Sequence, residues 1–332
     1  MESTRKKNIL VTGGLGFIGW NFINKVLGEN LIECDVLVNI DSGEYSAINN
    51  IPLETPKYKF YKGKMGELSE SVLENYNIDT VVNFAASTHV DNSIKSVKAF
   101  VENNVLEMSI LMENCRNFWK KKNIDGLFVQ ISTDEVFGSV EDQGGISFNE
   151  YTLHHPNNPY SATKSAAEVL LRSFMHTYNF PAIITNCGNN YGPGQHEEKL
   201  IPKIIKCCLE KKSIPIYGNG MQKRDWIYVD DHCEGIARAI HLGRKGDSYL
   251  FGTTKNVTNL ELTKIICRIL DKKLNSISPL ESLIHFVEDR LGHDVTYTVD
   301  YARSLQMLGW EPKTDLSEGL EKTVDWYLNK IQ

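Results

Sequence analysis

The chain has 332 residues, 41% hydrophobic and 23% charged, which is the composition of an ordinary globular protein large enough for two lobes. A net charge of −6 argues against a broad basic surface for nucleic acid or an anionic membrane, and no apolar run of about 20 residues offers a transmembrane span. Seven cysteines, without a Cys-x-x-Cys pair, predict a reducing, cytoplasmic setting and no metal centre, and the polar N-terminus lacks the apolar stretch of a secretory signal.

The first predicted element is a buried strand from Asn8 to Thr12. Gly13, Gly16 and Gly19 follow at three-residue spacing, and a helix begins at about Phe17-Ile18 and runs to Leu27. Glycines here permit a tight turn and close approach of a pyrophosphate, with the helix N–H groups facing it. A second strand, Asp35 to Ile40, ends in Asp41, which is placed to accept hydrogen bonds from ribose hydroxyls and favours NAD over NADP. Further strands are predicted at Tyr58–Tyr61, Thr80–Phe84, Leu127–Ile131 and Ala182–Cys187. A long helix from Ser96 to Trp119 carries an apolar stripe, and Lys120-Lys121-Lys122 reads as its solvated, dipole-matched end. The alternation predicts an α/β fold: a Rossmann-type, doubly wound parallel sheet with a smaller α+β substrate-binding lobe. After Cys187 prolines and glycines cluster, and helices are expected at Lys199–Leu209, Asp230–His241, Asn259–Leu270 and Leu316–Asn329. The expected division is 1–186 for the NAD-binding domain and 187–332 for the second lobe, with part of 224–245 crossing back.

Tyr160 and Lys164 are four residues apart and share a helix face, where an ammonium is expected to lower the tyrosine pKa. With the glycine turn, Asp41 and the strand end Gln130-Ile-Ser-Thr133, this pair resembles the extended short-chain dehydrogenase/reductases. The resemblance implies that Ala85 and Ala86 line the cofactor and that Thr133 meets the substrate hydroxyl. Next come Asp134 and Glu135. Two carboxylates side by side repel, so one is expected to keep its proton, which gives an acid and a base for an elimination.

Ser132-Thr-Asp-Glu-Val-Phe-Gly138 resembles the active-site strand end of nucleotide-sugar 4,6-dehydratases, above all those acting on dTDP-glucose. The segments Ala85–Ile94, Asn186–Gly194, Glu198–Pro202, Arg224–Asp231 and Asp289–Asp294 extend that likeness over nearly the whole chain. It implies oxidation at sugar C4, loss of water across C5 and C6, and return of hydride to C6, with NAD as a bound catalyst. It assigns Tyr160, Lys164, Thr133, Asp134 and Glu135 to catalysis. Thr88, His89, Asn189, Asn190, Lys199, Leu200, Arg224, Asn259, Arg290 and His293 are assigned to the nucleotide sugar, and the two arginines offer planar forks of donors to a diphosphate. A homodimer paired through the helices at 96–119 and 160–178 is also implied.

The chain departs from the family at several points. Lys64 stands where an acid usually faces adenine, Ser42-Gly-Glu44 follows the ribose aspartate, and Phe137, Asn92 and Leu291 replace the usual tyrosine, arginine and proline. UDP-glucose and UDP-N-acetylglucosamine therefore stand as alternative substrates. A 4-epimerase would use Tyr160 and Lys164 without Asp134-Glu135, and a non-catalytic NAD-binding protein would need none of the five.

Overall fold

The computed structural model describes residues 6–43, 47–48, 55–289 and 291–331. Glu44 and Arg290 lie outside the described residues. Seven strands form one parallel sheet in the order β10-β6-β5-β4-β1-β2-β3. They are β1 (Lys7–Thr12), β2 (Cys34–Asp41), β3 (Tyr58–Lys62), β4 (Thr80–Asn83), β5 (Leu127–Thr133), β6 (Ala182–Cys187) and, far along the chain, β10 (Ser248–Phe251). The strand order turns back between β1 and β4, so the crevice for a ligand opens outside their C-terminal ends.

Side chains alternate across the sheet as the period of two requires. Ile9, Val11, Val82, Val129 and Ile183 face one layer, with α1 (Phe17–Gly28), α8 (Val229–Leu242) and α10 (Ala302–Leu308). Leu10, Val81, Phe128, Ala182 and Ile184 face the other, with α2 (Met65–Tyr76), α5 (Met108–Lys122) and α6 (Pro159–Tyr178). All of β4, β5 and β6 is buried. Each fully buried aliphatic side chain contributes about 1.5–3 kcal/mol.

The predicted strands and helices are present with small shifts at their ends. β10 and α2 had no counterpart in the sequence reading. The long helix spans 97–122, formed by α4 (Val97–Val101), a π-helical segment (Glu102–Glu107) and α5, and it ends with Asn123 in the left-handed conformation. Asn104, in the π segment, accepts from Ser87 N at 2.8 Å and donates to Ser87 O at 3.1 Å and Thr163 Oγ1 at 3.0 Å. Widened turns of this kind recur at functional sites because they re-aim side chains.

The remaining strands are short. β7 (Asn189–Tyr191), β9 (Lys223–Tyr228) and β11 (Asn256–Thr258) form one sheet, and β8 (Ile214–Tyr217) pairs with β12 (Ile284–Val287). With α7 (Leu200–Leu209), α9 (Asn259–Leu274) and α11 (Leu316–Ile331) they enclose a separate apolar cluster around Ile201, Ile205, Trp226, Leu262, Ile266 and Leu320. Asp225, fully buried on β9, knits three segments together. Its carboxylate accepts from Thr253 N at 2.8 Å, Thr253 Oγ1 at 2.5 Å, Thr254 N at 3.0 Å and Val299 N at 3.4 Å.

Asp225→Ala strands these donors. It should lower stability by about 2–4 kcal/mol, read as an earlier midpoint in urea unfolding. An unchanged midpoint would remove Asp225 from this role.

Candidate active site

Two connected clefts open at the C-terminal edge of the main sheet. One, of about 490 Å³, is lined by Gly13, Gly16, Phe17, Ile18, Gly19, Asp41, Ala85, Ala86, Thr133, Asp134, Tyr160, Lys164 and Asn190. The other, of about 500 Å³, is lined by His89, Glu135, Leu200, Arg224, Asn259 and His293. Thr88, Asn189 and Lys199 border both. Every described residue assigned above to catalysis, cofactor or nucleotide sugar thus lines one or both of these adjoining clefts; Arg290 lies outside the described residues.

The glycine turn is built for close approach. Gly13 has φ +71°, and a methyl group on it would come within 2.6 Å of the Ala85 backbone. One on Gly19 would come within 2.5 Å of Gly13 O. The first turn of α1 carries no acid, so nothing there opposes an anion. Asp41 uses both oxygens to shape the loop edge, accepting from Leu15 N at 2.9 Å and Gly43 N at 2.8 Å. Lys64 lies 3.8 Å from Glu107, whose carboxylate also accepts from Gly66 N at 3.0 Å, so its charge is directed to the wall of the cleft.

Local sequence explains where Tyr160 sits. Asn158 caps α6, accepting from Ser161 N at 2.9 Å, and Pro159 takes the first helical position. Tyr160 therefore falls in the first turn and Lys164 one turn on. Lys164 Nζ donates to Ile131 O at 2.7 Å, and burial pushes the lysine down to about 8.

The expected lowering of the tyrosine pKa is not what the structure has. Burial, then the charges of Glu135, Cys187 and Asp134, hold Tyr160 well above its ordinary value, against the pull of its bond to Thr133. A rule about two side chains on one helix missed the acids that β5 brings to the same ring.

The two carboxyls follow β5 in a short 3-10 turn. Asp134 is 1% exposed. Its Oδ1 accepts from Thr133 Oγ1 at 3.3 Å, and its Oδ2 is buried without a partner. Burial, then Glu135 and Asp225, push Asp134 well above the carboxylate range, against Arg224 and Thr133. Burial also raises Glu135, but Lys199 and Arg224 act against that more strongly than Asp294 adds to it. Asp134 is the better proton holder, and Glu135 the better base.

Arg224 and Asn190, both expected at the nucleotide sugar, line the clefts and also bond within the protein. Arg224 donates to Lys223 O at 2.8 Å, Val295 O at 3.2 Å and Asp294 O at 2.9 Å, and its guanidinium lies 4.3 Å over the Tyr297 ring. It braces the 294–297 strap from within the cleft wall. Asn190 donates to Cys187 Sγ at 3.2 Å and Gly188 O at 3.1 Å, while its carbonyl oxygen lies 2.9 Å from Nδ1 of the fully buried His232. Asn189 and Asn259 instead each leave a buried side-chain oxygen without a partner at the cleft. His293 Nδ1 lies 2.6 Å from Asp289 Oδ1, and His89 Nε2 lies 3.7 Å from Glu198 Oε2. Lys199 Nζ donates to Thr88 O at 3.3 Å across the junction of the clefts. Cleft residues the sequence reading passed over include Asn103, Gln195, Tyr217, Trp226 and Tyr297. Only the Asn103-Asn104 pair, polar within an apolar helix, carried a local signal.

Residues 10–323 match the family described as GDP-mannose 4,6 dehydratase. A dTDP-glucose 4,6-dehydratase of Xanthomonas campestris pv. campestris is 41% identical, covering 96% of this chain and 92% of that protein. A dTDP-glucose 4,6-dehydratase of Streptomyces venezuelae, solved with NAD bound, superposes with TM-score 0.88 at 35% identity, covering 97% of each chain. The enzyme of that name from Bacillus anthracis, in complex with NAD, does so with TM-score 0.84 at 37% identity, again covering 97% of each.

The raised pKa of Asp134 sets a sign for stability. The folded state binds its proton over a pH range in which the unfolded state has released it. Stability is therefore lost as pH rises from about 4, the ordinary carboxylate value, through the raised folded one. Asp134→Asn escapes this loss. It should unfold at higher urea than the parent at about pH 7.5, with the gap closing as pH falls toward about 4. A variant less stable than the parent at neutral pH would refute the assignment.

Proposed function

The chain belongs to the nucleotide-sugar 4,6-dehydratases, the family described as GDP-mannose 4,6 dehydratase, and we propose that it converts dTDP-glucose to the 4-keto-6-deoxy sugar with NAD as a bound catalyst. The observation that carries the reading is the pair formed by the buried Asp134 and the half-buried Glu135 beside Thr133 and Tyr160, one acid lining each of the two adjoining clefts. The Cβ-free cradle at Gly13 and Gly19 supports NAD as the cofactor, since it leaves backbone open to a pyrophosphate and closes the turn to side chains. When bound, NAD supplies an acceptor for the C4 hydride, a positive ring charge, and the hydride returned to C6.

Thr133 holds the sugar hydroxyl against Tyr160. Tyr160 takes the 4-hydroxyl proton; burial and the neighbouring acids hold its own proton tightly, so the phenolate would depend on the positive ring charge that bound NAD supplies, with the ammonium of Lys164 one turn away acting in the same sense. The resulting C4 ketone acidifies the C5–H bond, and Glu135 removes that proton. Asp134 gives its own proton to the C6 hydroxyl, which leaves as water. Glu135 returns a proton to C5 once C6 has been reduced, and the cycle closes when Tyr160 gives up the proton it took and Asp134 regains one from solvent. Lys199 and Arg224 offset charge as Glu135 cycles. Asn189 and Asn259 offer oxygens to the substrate's own donors. Residues 1–186 serve the cofactor and most of 187–332 the nucleotide sugar; the part that reaches back is longer than the expected 224–245, since α8, β10 and α10 all pack on the main sheet. A 4-epimerase has no use for the Asp134-Glu135 pair, which is why the dehydratase is preferred.

We also assign a homodimer. Val97, Val101 and Leu106 on the long helix and Val169 on α6 are exposed apolar side chains on the two helices expected to pair. Among the described residues no helix is long and apolar enough to cross a membrane, and the seven free thiols favour work in the cytoplasm.

Offered dTDP-glucose in heavy water, the protein should yield a 4-keto-6-deoxy product carrying deuterium at C5, as read by NMR. A 4-epimer without exchange at C5 would sink the dehydratase reading. Glu135→Gln should slow product formation by about 10²–10⁴-fold while still permitting reduction of the cofactor, seen by its absorbance. Sedimentation should give a dimer at micromolar concentration and a monomer for Val101→Glu; a monomeric parent would overturn the dimer assignment.

A further inference from the structure

Beneath the acid pair lies a carboxylate that the steps above do not use. Glu168 is fully buried on α6, one turn beyond Lys164 and two beyond Tyr160. Its Oε1 accepts from Asn186 Nδ2 at 2.7 Å. The same amide donates to Thr133 O at 3.0 Å, so one nitrogen ties the helix to the strand end that bears Thr133. His154 Nε2 lies 3.4 Å and Arg172 3.8 Å from Oε2, and His154 Nδ1 lies 2.8 Å from Ser165 Oγ. A carboxylate this deep is costly unless its surroundings keep it ionised.

We propose that Glu168 is a positioning residue for this site: its carboxylate shares a helix face with Lys164 one turn back and, through Asn186, fixes the strand end that presents Thr133. The proposal rests on the roles given above to Lys164 and Thr133. Burial alone would raise the Glu168 pKa; His154 at 3.4 Å, the nearby Ser132 and the bond from Asn186 outweigh it and hold the group below its ordinary value. Glu168 in turn is the first influence opposing the burial that depresses Lys164, followed by Cys187. The charged and titratable groups facing Glu168 are His154 from the loop before α6, and Lys164 and Arg172 from α6 itself. β5 and β6 present the neutral Ser132 and Asn186.

Glu168→Gln preserves the shape and the acceptor for Asn186 but removes the charge. Turnover of dTDP-glucose, followed from about pH 6 to about pH 9.5, should show the alkaline limb of kcat moved down by at least about one pH unit, with KM and the acid limb unchanged. Glu168→Asp keeps the charge but draws it back by one methylene, so its limb should lie between the two; if only that variant can be purified, a limb superimposed on the parent's overturns the proposal. A Glu168→Gln profile identical to the parent's, or one depressed equally at every pH, overturns it as well.

A second readout needs no substrate. Urea unfolding of Glu168→Gln, Lys164→Met and the double variant at about pH 7.5 should be non-additive, with the glutamate change costing less once Lys164 is gone. Additive midpoints refute the coupling. If the parent makes no 4-keto-6-deoxy product, the functional reading fails while this cycle still judges Glu168.

Discussion

All seven strands of the main sheet run the same way, and the site depends on that. A parallel sheet delivers the C-terminal ends of its strands to one edge, where backbone groups and loops are no longer committed to the ladder. β1 brings the glycine turn there, β2 brings Asp41, β4 the Ala85-Ala86 loop, β5 the acids and β6 Cys187 with the asparagines that follow. The helices return the chain and fill both faces with apolar side chains, so the edge is stiff. α6 is the exception that also contributes chemistry, because its capped start points back at the end of β5.

That edge gathers acids in a place poor in water. Asp134, Glu135, Tyr160 and Cys187 each raise or are raised by their neighbours, and burial dominates every one of the shifts. Such crowding works against folding; it favours proton transfer at the two carboxyls, which are raised toward neutrality, while Tyr160 and Cys187 are raised away from it. The opposing charge comes from the other half of the chain: Lys199 at the head of α7 and Arg224 on β9. The two halves therefore complete one electrostatic arrangement that neither contains alone.

Much of this was legible in the sequence because the signals are local. The glycine turn between a buried strand and a helix, the Tyr160/Lys164 spacing and the Asp134-Glu135 pair each lie within a few residues, and the fold brings them to one cleft. β10 was missed because Ser248-Tyr-Leu-Phe251 is four residues without periodicity, and its place beside β6 is set only by packing. α2 was missed because its glutamates and serines dilute the apolar stripe. The bracing role of Arg224, the locked amide of Asn190 and the raised Tyr160 pKa depend on residues tens of positions away. No spacing rule reports those.

His232 stands apart from this titrating crowd. Burial pushes its pKa to about 3, so the ring stays neutral and its Nδ1–H keeps donating to Asn190 under any condition in which the protein is folded. That wall of the cleft is consequently indifferent to acidity, whereas Asp134, Glu135 and Lys164 are not. One fixed wall of the cleft is thus kept apart from the moving protons: a change of pH that recharges Asp134, Glu135 or Lys164 leaves the Asn190–His232 contact as it was.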